Sequence, residues 1–273
     1  MAELGTTLNG QHQSTHRPGP QVTAAPYPAA PAPHTAPVTA PGPLPSVLIA
    51  TRHGESTANV EFQLAEAAGA LSVPINCRDA DIPLSLQGRQ QAQALGRWWA
   101  GLPSADRPRS VWCSPYERTT ETARIALAQA AGLGAVPVSL AVRYDERLRD
   151  RELGILEMLP KAAIEARHPD EAARRRKMGE LYYRPPGGES WADVALRVRS
   201  VLRDICAEEA GRPVLLVAHD CTVLMLRYAL DRLTEAQLTA LDTVRNCSTS
   251  LWRAEAGRLR PAHWNDTGHL TLG

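Results

Sequence analysis

The chain has 273 residues, a formal net charge of +1 and a hydrophobic fraction of 44%. This near-neutral balance gives no electrostatic reason to expect nucleic acid or an acidic membrane as a partner. No apolar run approaches the ~20 residues that a membrane-spanning helix needs, and residues 1–20 lack the apolar segment of a secretory signal. Five widely spaced cysteines without a C-x-x-C motif predict neither a metal site nor a disulfide framework, which favours a cytoplasmic protein.

The first 45 residues differ in composition from the rest of the chain. Residues 1–45 contain ten prolines and eight alanines but only two charged residues, Glu3 and Arg17. Such a segment buries too little apolar surface to offset its ordering entropy, so it predicts a disordered or polyproline-like tail. Residues 46–273 are predicted to form one α/β domain.

Within that domain, apolar runs alternate with helical patterns. Strands are predicted at Val47–Ala50, Val111–Cys113, Val136–Leu140, Val214–Ala218 and Thr249–Trp252. Helices are predicted at Ala58–Ala68, Leu86–Ala100, Pro115–Ala131, Lys161–Ala166, Trp191–Ala210 and Thr222–Leu233. The alternation predicts an α/β three-layer sandwich with a mostly parallel central sheet and helices on both faces. A small cap insertion is expected at about residues 155–190.

Two of the predicted strands end in histidine. The first leads into Arg52-His53-Gly54, and the apolar run Val214–Ala218 leads into His219. An imidazole can attack an anion covalently, a guanidinium can hold phosphate oxygens, and a glycine lets substrate approach the backbone. Ligands of such sheets bind beyond the carboxyl ends of the strands, so both histidines are expected at one binding edge.

A third predicted strand, Val111–Cys113, leads into a helix start. Ser114 is expected as the N-cap and Pro115 at the first helical position, with Glu117 completing a capping box. Free backbone N–H groups and the helix dipole favour an anion at this end, where Arg118 lies in the first turn. A solvated arginine on a well-capped helix is the alternative interpretation.

Taken together, these motifs resemble the histidine phosphatase superfamily, also called the phosphoglycerate mutase-like family. The similar segments, in family order, are Arg52–Asn59, Asp81–Ser85 with Gly88, Ser114–Thr119, Asp150–Gly154 and His219. They cover essentially all of residues 46–273. The segment Pro185–Ser190 is similar to one found in fructose-2,6-bisphosphatase and small-phosphatase members.

The resemblance implies a role for each matching residue. His53 matches the nucleophile that becomes phosphohistidine, and Arg52, Arg118 and His219 match the phosphate pocket. Asn59 matches a residue that helps to hold the phosphate or the surroundings of the nucleophile. The implied chemistry requires no metal and no organic cofactor.

Several carboxyl groups are candidates for the proton donor. Asp150, four residues before Gly154, matches the general acid, which is usually Glu in the mutase-like branch. Glu146, Glu152 and Asp220 are the other carboxylates expected nearby; Asp150 and Glu152 would share a face of an extended segment. Asp220 follows the second histidine, as in the His-Asp pair of the acid phosphatase and phytase branch.

Two further features concern the cap. Glu189 is a candidate for contacting substrate or the catalytic water, and capping the helix from Trp191 is the alternative. The basic cluster Arg174–Lys177 is interpreted either as a recognition site for a second anionic group or as the solvated face of a charged helix.

The leading hypothesis is a metal-independent phosphatase that hydrolyses small phosphate monoesters through a phosphohistidine. A cofactor-dependent phosphoglycerate mutase and a non-catalytic phospho-ligand-binding scaffold are the alternatives. The expected partner is therefore a small phosphorylated substrate, with no nucleic acid and no membrane. The specific substrate, set by the cap, and the oligomeric state are left open.

Overall fold

The structure is a computed structural model that describes residues 43–271. The predicted tail, residues 1–45, lies almost wholly outside the described residues. The strands are β1 (Val47–Arg52), β2 (Ser110–Cys113), β3 (Val142–Tyr144), β4 (Pro213–Ala218), β5 (Thr249–Glu255) and β6 (Arg258–Asp266). They form one sheet in the order β3-β2-β4-β1-β5-β6. β1 to β4 pair in parallel, while β5 pairs antiparallel with both β1 and β6.

Helices follow most of the strands. They are α1 (Thr57–Ala68), α2 (Leu86–Gly101), α3 (Glu117–Gly132), α4 (Lys161–Arg167), α5 (Pro169–Met178), α6 (Trp191–Glu208), α7 (Asp220–Asp231) and α8 (Glu235–Thr239). Short 3-10 turns lie at Asp79–Asp81, Glu146–Leu148, Gly154–Leu156 and Gly268–Leu270. No helix within residues 43–271 combines the length and the apolar character needed to cross a membrane.

A hydrophobic core lies on each face of the sheet because side chains alternate along the strands. Leu48 and Leu216 face one core, which α6 and α7 cover. Ile49 and Leu215 face the other core, which α2 and α3 cover. β4 is buried at every position, as a central strand covered on both faces should be. The prediction of an α/β sandwich with a mostly parallel sheet is confirmed.

The predicted strand Val136–Leu140 is wrong. Pro137 has no N–H to contribute to a sheet ladder, its carbonyl instead accepts from the Leu140 amide at 3.0 Å, and Val138 is 92% exposed. The third strand is β3, two residues further on. The sequence analysis also missed α5 and α8, and it missed β6, an edge strand that is mostly polar and contains Pro261.

The carboxyl ends of β1 and β4 meet at one edge of the sheet. Arg52 lies opposite Ala218 in the parallel pair, so the next residue along each strand is a histidine. The His53 amide donates to the Ala218 carbonyl at 2.9 Å, which continues the ladder beyond β1. The two predicted histidines are therefore brought together by backbone pairing.

Two glycines let the segment after β1 pack against the start of α2. A Cβ on Gly54 would lie 2.5 Å from the Gly88 carbonyl oxygen, and a Cβ on Gly88 would lie 2.0 Å from the Glu55 carbonyl oxygen. Neither contact is possible without moving backbone. The position of the residues that follow His53 thus depends on the absence of side chains at both glycines.

We expect Gly88→Ala to lower the free energy of unfolding by about 1–3 kcal/mol, as overpacking typically does. The matched control is Gly101→Ala in the same helix, where nothing lies within 4 Å of an added Cβ. That change should be neutral or stabilise by about 0.4–1 kcal/mol through the unfolded state. Urea unfolding of both variants measures the difference, and equal effects would contradict the packing argument.

Candidate active site

His53 lies just beyond β1 and is 2% exposed. Its Nδ1 lies 2.7 Å from the Gly54 carbonyl oxygen. Because a carbonyl only accepts, Nδ1 must donate, and the neutral ring then carries its lone pair on Nε2. Burial, assisted by the cations Arg118 and Arg52, holds the pKa of His53 well below its usual range. The imidazole is therefore neutral, and so nucleophilic, at neutral pH.

His219, the residue after β4, is fully buried with its ring centroid 5.2 Å from that of His53. Its Nε2 lies 2.8 Å from the Ser114 hydroxyl oxygen. Its Nδ1 has no hydrogen-bond partner and lies 3.3 Å from Asp150 Oδ2. Burial lowers the pKa of His219 despite the opposing effect of Asp150. This nitrogen therefore faces the Asp150 carboxylate.

Ser114 is not the N-cap that the sequence pattern predicted. The helix begins at Glu117 with Tyr116 as its N-cap residue, and Tyr116 makes no side-chain cap hydrogen bond. The Ser114 hydroxyl is engaged by His219 instead, and it accepts from the Tyr116 amide at 3.4 Å. Ser114 thus orients the second histidine of the site.

Arg118 is buried and is held by two carboxylates. Its Nη2 lies 2.8 Å from Asp79 Oδ2 and 3.0 Å from Asp150 Oδ2, and its Nη1 donates to the Asp79 carbonyl. Asp79 was missed by the sequence analysis; it lies 39 positions away in a 3-10 turn, and the only signal was its nearness to the Asp81–Ser85 motif. These contacts fix the guanidinium in place and offset its charge.

Arg52 is anchored differently. Its Nη1 donates to the Val244 carbonyl at 2.7 Å, while its buried Nε has no hydrogen-bond partner. Among residues 43–271, no carboxylate forms a salt bridge with it. The Arg52 charge is therefore the least compensated cation next to His53, and an anion would satisfy it.

Asn59 supports the backbone around His53. Its Oδ1 accepts from the Ser56 amide at 3.0 Å, which closes a capping box on α1, and from Asn246 Nδ2 at 3.1 Å. The same Asn246 amide donates to the His53 carbonyl at 3.1 Å. Asn246 was not predicted, because no local pattern links it to a residue 193 positions earlier.

Asp150 reaches the site with 28% of its side chain exposed. Its Oδ1 accepts from the Arg151 amide at 2.8 Å, and its Oδ2 contacts Arg118. Burial favours the protonated form, but His219, Arg118 and His53 outweigh it and hold the pKa of Asp150 well below its usual range. Asp150 is therefore an anion at neutral pH.

Two other carboxyl groups that line the same cavity behave in the opposite way. Glu157 accepts from the Leu153 amide at 3.0 Å, and burial raises its pKa to about 7. Asp220 accepts from the Val244 amide at 2.9 Å, and burial raises its pKa as well. Glu157 was not considered in the sequence analysis, because its protonation depends on burial that sequence does not reveal.

The structure does not bring Glu189 or Glu152 into the cavity. The Glu189 carboxylate is held by Arg149 at 2.7 Å and Arg197 at 2.9 Å, and it accepts from the Glu152 amide at 3.2 Å. The Glu152 carboxylate accepts from the Tyr116 hydroxyl at 3.0 Å. Glu189 therefore lies behind the Asp150 segment and stabilises it. The N-cap of α6 is Ser190.

The cavity in front of these groups has a volume of about 430 Å³. Its polar and charged lining residues are Arg52, His53, Ser56, Asn59, Asp79, Arg118, Asp150, Arg151, Glu157, Arg175, Asp220 and Thr243. Of the predicted basic cluster Arg174–Lys177, Arg175 lines this cavity. Its guanidinium pairs with Glu180 at 2.7 Å. Within residues 43–271, no group of three or more His, Cys, Asp or Glu side chains is arranged to hold a metal ion.

The arrangement suits covalent transfer of a tetrahedral dianion. His53, Arg52 and Arg118 line one cavity, and the ring centroid of His219 is 5.2 Å from that of His53. The guanidiniums stay charged at any physiological pH and match the geometry of phosphate oxygens. Donors that are already in place stabilise charge as it develops on transferred oxygens.

Comparison with known proteins agrees with this geometry. The sequence model described as histidine phosphatase superfamily (branch 1) matches residues 48–267. The chain is 33% identical over 199 residues to 2,3-bisphosphoglycerate-dependent phosphoglycerate mutase 2 of Gloeobacter violaceus, covering 72% of this chain and 81% of that protein. It is 32% identical over 222 residues to glucosyl-3-phosphoglycerate phosphatase of Mycobacterium tuberculosis, covering 78% and 86%.

A solved structure extends the similarity to the fold. The complex of mycobacterial glucosyl-3-phosphoglycerate phosphatase with inorganic phosphate aligns with a TM-score of 0.61 at 28% identity. The alignment covers 82% of this chain and 99% of that one. The resemblance drawn from the sequence motifs is confirmed.

We expect the pKa of His53 to rise in Arg118→Met. The change removes a buried cation and leaves Asp79 and Asp150 uncompensated, and both effects favour the imidazolium. NMR titration of the imidazole nitrogens measures the pKa directly. In the unaltered protein, His53 should remain neutral at pH values well below 6.5.

Arg124→Met is the matched control for this titration. Arg124 lies on the same helix with 71% of its side chain exposed, so its loss should leave the His53 titration unchanged. Arg118→Lys keeps the cation and should keep the pKa low. If Arg118→Met leaves the pKa of His53 unchanged or lower, the electrostatic account of the nucleophile is wrong.

Proposed function

Because the chain belongs to the histidine phosphatase superfamily (branch 1), we propose that it is a metal-independent phosphatase that hydrolyses small phosphate monoesters through phosphohistidine at His53. The observation that carries this proposal is the neutral, buried His53 with Nε2 free, next to cations suited to a dianion. Relatives with phosphatase names support hydrolysis.

In the first step the phosphate group of the ester lies between Arg52, Arg118 and His219, with His53 Nε2 opposite the ester oxygen. The N–P bond forms while the P–O bond to the leaving group breaks, and the charge on the three other oxygens is stabilised by donors already in place. The leaving oxygen takes a proton from a carboxylic acid and departs as an alcohol.

In the second step water attacks phosphorus. The P–N bond breaks, returning the electron pair to His53 Nε2, and the water proton passes to the carboxylate that donated one before. Inorganic phosphate leaves and the starting protonation states are restored. No metal or organic cofactor takes part in either step.

We propose Asp150 as the proton donor. Its low pKa reflects the effects of His219 and Arg118, which outweigh that of burial. A bound phosphate dianion competes for Arg118 and adds negative charge beside Asp150, and both effects raise the pKa of the carboxyl. Substrate binding therefore favours the protonated form that the first step needs.

Mutase activity is the second candidate, because a phosphoglycerate mutase is among the relatives. A bisphosphorylated glycerate carries roughly −4 to −5, from about −1.5 to −2 per phosphate plus a carboxylate. The cavity is lined by four arginines, but also by the carboxyl groups of Asp79, Asp150, Glu157 and Asp220. Such a balanced lining favours a monoester dianion over a bisphosphate intermediate.

The cysteines bear on the compartment. All five cysteines of the chain are free, and Cys113, Cys221 and Cys247 are buried. Free thiols are the rule in reducing compartments. We propose a cytoplasmic location on this ground.

The first test of the function is phosphate release from p-nitrophenyl phosphate in the presence of EDTA. We expect EDTA-resistant release that is abolished in His53→Ala, together with acid-labile phosphate on the unaltered protein after rapid quenching. Incubation with 3-phosphoglycerate and 2,3-bisphosphoglycerate is the parallel assay. Isomerisation without phosphate release would establish the mutase instead, and ester binding without either activity would establish the scaffold.

The second test concerns the proton donor. We expect Asp150→Asn to slow hydrolysis of an alkyl phosphate by ~100-fold or more, the usual contribution of a general acid. The effect should shrink with p-nitrophenyl phosphate, because its leaving group needs little protonation. Single-turnover rates for the two esters measure this contrast.

Glu157→Gln and Asp220→Asn are the matched variants, since both carboxyl groups line the cavity and have raised pKa values. Each is expected to slow alkyl phosphate hydrolysis much less than Asp150→Asn does. If one of them shows the leaving-group-dependent loss instead, the donor is that residue and the assignment of Asp150 is wrong.

A further inference from the structure

A second cavity, of about 600 Å³, lies beside the catalytic one, between α1 and the α4–α5 pair. The two cavities share four lining residues: Phe62, Leu153, Leu159 and Arg175. They therefore adjoin each other. We call the second cavity the leaving-group chamber, because a substituent attached to a phosphate at His53 can extend into it.

The inner walls of the chamber are apolar. They consist of Phe62 from α1, Leu153 and Leu159 from the intervening loop, Ile164 from α4 and Ala172 from α5. Phe62 is the only phenylalanine in the chain. All five are partly buried, so they leave apolar surface facing the cavity. Covering such apolar surface with an apolar ligand removes it from water, which is energetically favourable.

The charged lining residues are mostly at the rim. Glu66, Lys161, Glu165 and Arg176 are exposed. Arg175 and Glu180 bond to each other through two contacts, at 2.7 and 2.9 Å. Glu66 accepts from the Lys161 backbone amide at 2.7 Å. Charges of both signs are present in equal number, so the rim does not select an anion or a cation.

The inner walls of the chamber carry no hydrogen-bonding side chain. The hydrogen-bonding side chains of its lining are the exposed charged residues and the Arg175–Glu180 pair. A hydroxyl placed against the inner walls would lose hydrogen bonds to water without regaining them, which is costly. An alkyl or aryl group placed there loses no hydrogen bond to water, and its apolar surface is buried.

We propose that the leaving-group chamber binds the apolar body of the substrate, so that the enzyme prefers alkyl or aryl phosphate monoesters over polyhydroxylated ones. The proposal rests on the proposed function, because the chamber receives a substituent only when the phosphate is at His53. It assigns to this chain a substrate class different from the polar esters in the names of its relatives.

The test compares kcat/KM for three primary-alcohol phosphates: glycerol 3-phosphate, n-propyl phosphate and n-hexyl phosphate. The first two differ only in hydroxyl groups, and the last two only in chain length. Full burial of a methylene group raises affinity about fourfold. Partial burial should raise kcat/KM about twofold for each methylene, so kcat/KM should be about eightfold higher for n-hexyl phosphate than for n-propyl phosphate. We also expect kcat/KM to be higher for n-propyl phosphate than for glycerol 3-phosphate.

Two variants test whether the preference for n-hexyl phosphate arises in the chamber. Ala172→Phe fills it and Ile164→Asn makes its wall polar, so both should bring the hexyl-to-propyl ratio close to one. The matched control is Leu64→Asn on α1, a residue that is 61% exposed and lines neither cavity. It should keep the ratio of the unaltered protein. Circular dichroism melting checks that each variant is folded.

The outcomes separate the two proposals. If no ester, p-nitrophenyl phosphate included, releases phosphate, the proposed function fails. If His53-dependent release occurs but n-hexyl phosphate is no better than n-propyl phosphate or glycerol 3-phosphate, the chamber proposal is overturned and the phosphatase stands. A hexyl preference that survives in both folded chamber variants also overturns it.

Discussion

The position of Arg118 between two carboxylates is the interaction on which the site depends. A buried guanidinium without a partner would destabilise the protein, and breaking such a pair typically costs 3–5 kcal/mol. Asp79 and Asp150 supply the compensation. Under the proposed function, a phosphate would compete with these carboxylates for the guanidinium. The ion pairs thus hold Arg118 in position before a dianion binds.

This charge arrangement also assigns different states to nearby groups. His53 is kept neutral by burial and by Arg118 and Arg52. Asp150 is kept ionised by His219 and Arg118, whose effects outweigh that of burial. Burial raises the pKa of Glu157 to about 7. The environments of these groups push their pKa values apart, which is how a site can perform acid and base chemistry at one pH.

The parts of the site that sequence could predict are those set by local pattern. Each histidine directly follows an apolar run, and strand pairing then brings His53 and His219 to one edge. Long-range contacts determine the positions of the residues that the sequence did not predict or placed wrongly. Asp79 and Asn246 reach the site from loops, and the Glu189 carboxylate is drawn away from the cavity by Arg149 and Arg197. No spacing rule reveals such contacts.

The misassigned elements have the same kind of cause. Val136–Leu140 is apolar enough for a strand, but Pro137 cannot pair, so the chain turns before β3 begins. Helix α5 is so rich in charge that no apolar face marks it. Local composition predicts an element well only when burial and pairing act in the same direction as propensity.

The residues at the carboxyl edge of the sheet and the residues around the leaving-group chamber belong to different elements of the fold. The residues proposed to contact phosphate lie at the end of β1, directly after β4 and in the first turn of α3. The leaving-group chamber is built from α1, α4, α5 and the loop before α4. Ile164 and Ala172 belong neither to the sheet nor to the ion pairs of Arg118. Under the proposed function, substrate preference can therefore change in this chain without disturbing His53.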